Sequence, residues 1–68
     1  MGALEAAAHT ALAERGMTGR IVRIGNRFQF RGEIGTKGCA VDIEGEPDQA
    51  LLRQAAGIMR DRIESEWR

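Results

Sequence analysis

The sequence predicts a small α+β domain, a single unit over residues 1–68, with the order α-β-β-β-α. Three observations carry this. Apolar residues recur at helical spacing near each end of the chain. Between Gly19 and Glu44 the period drops to two. Glycine stands at each change of pattern, at Gly16, Gly25 and Gly35. The expected architecture is a three-stranded antiparallel meander with two helices packed on one face.

The first helix is expected over residues 3–15. Leu4, Ala8, Ala11 and Leu12 share a stripe with Ala7 beside them, and alanine is the best helix former. Arg15 followed by Gly16 reads as a C-terminal stop, with Gly16 taking a left-handed conformation. Met17 can then fold back on Leu12. A stripe made mostly of alanine packs close to its neighbour but buries little area.

Strands are expected over residues 20–24, 28–34 and 39–44. Ile21-Val22-Arg23-Ile24 is rich in β-branched residues. In the next stretch Phe28, Phe30, Gly32 and Ile34 alternate with polar residues. In the third, Cys39, Val41 and Ile43 do so. Gly35-Thr36-Lys37-Gly38 is read as a four-residue loop pairing Ile34 with Cys39 and Phe30 with Ile43, which sets Arg31 opposite Asp42. For the first turn, a three-residue loop of Gly25-Asn26-Arg27 pairs Ile24 with Phe28 and Val22 with Phe30. That choice gathers Val22, Ile24 and both phenylalanines on the core face and turns Ile21 outward.

The last helix is expected over residues 47–66. Proline suits the first helical position, and Glu46 and Asp48 suit the positive helix end. Leu52, Ala55, Ala56, Met59, Ile63 and Trp67 form one stripe, which Leu51 and Ile58 widen. Arg60 with Glu64 is an i, i+4 pair. Gly57 costs roughly 1 kcal/mol against alanine, so it is read as marking the close approach of another backbone, such as the alanines of the first helix.

Size and composition narrow the function classes. A chain of this length buries only about 60% of the surface its unfolded form exposes, so a partner or self-association is a natural supplement. Cys39 is the one cysteine and His9 the one histidine. A disulfide within the chain is therefore excluded, and no metal site or cofactor is expected. A lone thiol suits a reducing compartment, and Met1 to Ala13 has no basic start of a signal peptide. A cytoplasmic protein of bacterial or phage type is the expectation. Ten basic residues balance ten acidic ones, which gives no long-range attraction to nucleic acid or an anionic membrane. No apolar run approaches the roughly 20 residues of a membrane helix.

The candidate chemistry is sparse, and no catalytic residue is assigned. His9 reads as a solvent-facing helical residue, and Cys39 as a small hydrophobe on the core face. Gly35 to Gly38 matches the Gly-x-x-Gly pattern of KH domains, but that loop joins helices and here its flanks read as strands. Arg20, Arg23, Arg27 and Lys37 are the cations without an acidic partner in the expected register. They are the candidate contacts for nucleic acid or another anion, although the interleaved phenylalanines are needed for the core. Ile21 and Arg23, with outward parity, and Trp67 near the C-terminus are the candidate contacts for a protein partner.

An alanine-rich helix, then Met17-Thr18-Gly19, then a basic hairpin resembles the small head–tail joining proteins of lambda-like phages over Leu4 to Phe30. That resemblance implies a structural role in phage assembly. The Cys39 to Glu44 strand and the long final helix depart from it. The leading expectation is a non-enzymatic protein-interaction or adaptor module that binds another protein or itself. A weak nucleic-acid or anion binder is the alternative.

Overall fold

The computed structural model describes residues 2–66. In chain order it contains α1 (Ala3–Ala13), β1 (Thr18–Ile24), β2 (Arg27–Ile34), β3 (Lys37–Glu44) and α2 (Gln49–Glu66). The strands form one open antiparallel sheet with β2 in the centre. Both helices lie on the same face of it. They meet over Gly32 in β2, where a Cβ would contact Leu12 of α1, Met59 of α2 and Met17 between α1 and β1, all within 3.5 Å. The α-β-β-β-α order read from the pattern is the order observed.

Helix α1 closes as its sequence dictates. Met17 N–H donates to Leu12 O at 2.9 Å and Gly16 N–H to Ala13 O at 3.0 Å, with Gly16 at φ +71°. These are the two closing bonds of a Schellman motif, which satisfies carbonyls that the helix end would otherwise leave open. Ala8, Ala11 and Leu12 are buried, and Leu4 and Ala7 pack against them half-buried. Helix α2 buries Leu52, Ala55, Ala56, Met59 and Ile63, the stripe expected among the described residues.

Two turns correct the expected strand register. Ile24 pairs with Arg27 across a two-residue turn of Gly25-Asn26, and Ile34 pairs with Lys37 across Gly35-Thr36. Gly25 and Gly35 have φ of +63° and +61°, while no non-glycine residue among those described has positive φ. Glycine first with positive φ and a second residue with negative φ is the type II′ arrangement, whose twist matches that of the flanking strands. Lys37 and Gly38 therefore belong to β3, not to a loop.

The two shifts have different consequences. Between β2 and β3 the register moves by two residues, so every side chain keeps its face: Cys39, Val41 and Ile43 still point inward, now beside Gly32, Phe30 and Phe28. Between β1 and β2 it moves by one, and a one-residue slip exchanges the faces of a strand. Ile21 is opposite Phe30 and buried, at 8% exposure. Val22 and Ile24, expected in the core, are 39% and 58% exposed on the outer face.

Helix α2 begins two residues later than expected. Asp48 caps it: its Oδ1 accepts the Leu51 N–H at 2.8 Å, a standard use of aspartate at a helix start. Pro47 is buried ahead of the helix. The expected backbone approach at Gly57 is not found; the group beside it is the Arg15 guanidinium, which lies 3.2 Å from where a Cβ would stand. Three further side chains tie α2 to α1. Gln49 Nε2 donates to Ala7 O at 3.3 Å, Arg53 forks onto the Glu14 carboxylate at 3.1 and 3.3 Å, and Arg60 donates to the Arg15 carbonyl. Arg60 also bonds Glu64 at 2.7 Å, the i, i+4 pair read from the sequence.

Candidate interaction surfaces

The outer face of the sheet is laid out in cross-strand rows. One row reads Ile24, Arg27, Glu44; the next reads Val22, Gln29, Asp42; the third reads Arg20, Arg31, Ala40. Arg27 reaches Glu44 at 3.7 Å, with both side chains largely exposed, so this pair contributes little stability. Arg20 and Arg31 are direct neighbours of like charge. Like charges opposite one another on a sheet are unfavourable.

The expected basic cluster is not assembled on one surface. Arg20 and Arg27 share the outer face. Arg23 has the opposite parity, at the rim of the helix-covered side, where its Nε donates to Gly25 O at 3.2 Å. Lys37 pairs with Ile34 at the other end of the sheet. Arg31, expected opposite Asp42, faces Ala40 and Arg20 instead. The two-residue Gly-Asn and Gly-Thr turns were the signal that could have placed it.

The expected protein contacts are also redistributed. Ile21 is a core residue and is withdrawn as an interface residue, because the first turn is one residue shorter than expected. Arg23 is exposed. Trp67 lies outside the described residues. Val22 and Ile24 take the outward positions on β1. On α2, Leu51 and Ile58 are 39% and 43% exposed. With about 100° of turn per helical residue, Leu51 and Ile58 lie about half a turn from Gln49, Arg53 and Arg60. Those three residues face α1, so the Leu51–Ile58 flank faces away from it, on the side of the edge strand β3.

His9 is exposed and lines an open hollow of about 250 Å³ with Leu12, Ala13, Met17, Thr18 and Gly19. Ligand pockets are usually larger, from about 300 Å³, and gather several polar groups around an apolar cavity. Cys39 is half-buried with its Sγ 4.0 Å from Ala40 O, consistent with its core-face parity. No helix among the described residues is long and apolar enough to cross a membrane. Comparison with family models, with curated proteins and with solved structures gives no match to this chain.

Proposed function

We propose that this chain is a small non-enzymatic module that binds protein. The observation that carries the reading is the placement of the large apolar residues exposed among those described. Val22, Ile24, Leu51 and Ile58 are between 39% and 58% exposed, and they fall in two pairs rather than singly. Val22 and Ile24 are neighbours on the outer sheet face; Leu51 and Ile58 are two turns apart on one helix flank. Single exposed apolar residues are ordinary, whereas grouped ones point to contact surfaces. A cytoplasmic setting suits the lone thiol of Cys39.

A photoreactive amino acid placed at Ile24 or at Ile58 in cells tests this, with Gln54 as the control position. A discrete protein adduct from either site, absent at Gln54, supports the reading. Absence of adducts at both sites, or an equal yield at Gln54, overturns it. A second reading, a weak anion or nucleic-acid binder, is favoured by the facing pair Arg20 and Arg31. Gel mobility of generic DNA and RNA at low salt, where phosphate neutralisation is strongest, tests it. A shift that Arg20→Ala with Arg31→Ala removes supports this alternative, and an unchanged mobility rejects it.

A further inference from the structure

We infer that the exposed flank of α2 joins two copies of this chain in an antiparallel helix pair. The inference rests on the protein-binding reading and names its partner. The flank carries Asp48, Leu51, Ala55, Ile58 and Arg62. Their spacing alternates three and four residues, the seam spacing of two packed helices. Leu51 and Ile58 are the exposed apolar members, and Ala55, 7% exposed, lies between them. Ala55 belongs to the domain's own core, so the contact across the seam is made by Leu51 and Ile58.

The chemistry of the seam reads the same way in size from either end but with opposite charge. An acid, a large apolar residue, an alanine, a large apolar residue and a base follow one another. A two-fold axis beside Ala55 therefore sets Leu51 against Ile58 of the second copy, and Asp48 against its Arg62, twice over. Parallel packing would oppose Asp48 to Asp48 and Arg62 to Arg62. Charge thus selects the antiparallel arrangement, and the self-complementary patch is what a two-fold dimer requires. Asp48 keeps a carboxylate oxygen for this contact, because Oδ1 alone caps the helix.

The position of α2 decides which edge meets the second copy. Gln49, Arg53 and Arg60 fasten its opposite flank to α1, so α1 and β1 lie on the far side. A seam of five positions buries less than the roughly 800 Å² per partner of a standard interface. The dimer is accordingly weak and forms at high concentration.

Sedimentation equilibrium of the full chain, from micromolar to millimolar concentration, tests the inference. The expected result is a mass rising toward twice the 7.5 kDa of one chain. Ile58→Glu moves the half-dimer concentration up by roughly tenfold or more, the effect of losing about 1.4 kcal/mol. Arg62→Asp weakens the dimer in the same direction. Val22→Glu, an equally exposed site on the sheet, leaves it unchanged, and circular dichroism confirms that all three variants are folded. A strict monomer at the highest concentration overturns the inference, as does a dimer lost in Val22→Glu but kept in Ile58→Glu. In either case adducts to another protein from Ile24 or Ile58 would leave the wider protein-binding reading standing. Absence of those adducts would remove both.

Discussion

Gly19→Ala is the substitution whose effect the backbone geometry fixes most sharply. Gly19 sits in β1 opposite Gly32, with φ at +155°, a region that L side chains rarely enter. A Cβ there would overlap the carbonyl oxygen of Arg31 and lie 2.8 Å from its carbon. An ordinary carbon–oxygen contact between strands is about 3.3–3.6 Å, so the strand must move or the residue must change its φ. The sparsely populated conformation costs of order 1–3 kcal/mol. Movement also weakens neighbouring ladder bonds worth about 0.5–1.5 kcal/mol each. The expected loss is about 2–4 kcal/mol by these two effects. At 0.05–0.15 kcal/mol per residue a chain of this size holds roughly 3–10 kcal/mol, so the loss is a large fraction of the whole. Urea unfolding followed by circular dichroism measures it. With a slope near 1 kcal/mol per molar, usual for the smallest domains, the midpoint falls by roughly 2 M or more. Gly38→Ala is the control, because a Cβ there meets Glu33 Cγ at 3.4 Å and Gly32 O at 3.7 Å, ordinary distances for a surface site. Equal midpoints for the two variants would refute the steric reasoning.

Four further outcomes are expected. Gly57→Ala raises the thermal midpoint by about 4–8 °C, because it gains about 1 kcal/mol of helix propensity while the flexible Arg15 end gives way; a lowered midpoint would show that the Arg15 contact dominates. Phe30→Ala, at a site with no exposure, loses about 3–5 kcal/mol, so its urea midpoint falls at least as far as that of Gly19→Ala or the chain is already unfolded without urea. Ile21→Ala costs about 2 kcal/mol or more while Val22→Thr stays within about 0.5 kcal/mol; denaturant midpoints in the reverse order would reverse the faces of β1. Asp48→Ala removes the α2 cap and lowers stability by about 1 kcal/mol, and amide exchange should quicken at Leu51, whose N–H loses its acceptor.

Much of the fold was legible because single rules governed single segments. The stop at Gly16, the buried stripe of α2 and the alternation of β2 and β3 each followed from one period or one glycine. The phase of β1 was not legible from apolar content, because Ile21, Val22 and Ile24 put apolar side chains on both faces. Edge strands tolerate this: an outward Val22 costs nothing that another element must repair. The turn chemistry held the missing information. Gly-Asn and Gly-Thr each supply one positive-φ position, which is what a two-residue hairpin needs. Apolar content alone favours Val22 and Ile24 for the core, whereas the two-residue turn places Ile21 there. The same turn sets Arg31 opposite Arg20. The exposed pair on α2 was visible in the sequence only as a widening of the stripe. Which flank it occupied became clear when Gln49, Arg53 and Arg60 were seen to hold the other side against α1.

The phase of β1 decides which apolar and basic residues are available to any partner. Cross-strand Hα–Hα contacts measured by nuclear magnetic resonance test it directly, because they report the non-hydrogen-bonded pairs of an antiparallel ladder, where Cα atoms lie only about 4.5 Å apart. The expected contacts are Ile21 with Phe30 and Arg23 with Phe28. Contacts of Ile21 with Arg31 and Arg23 with Gln29, the non-hydrogen-bonded pairs of a register with a three-residue first loop, would contradict them and return Ile21 to the surface.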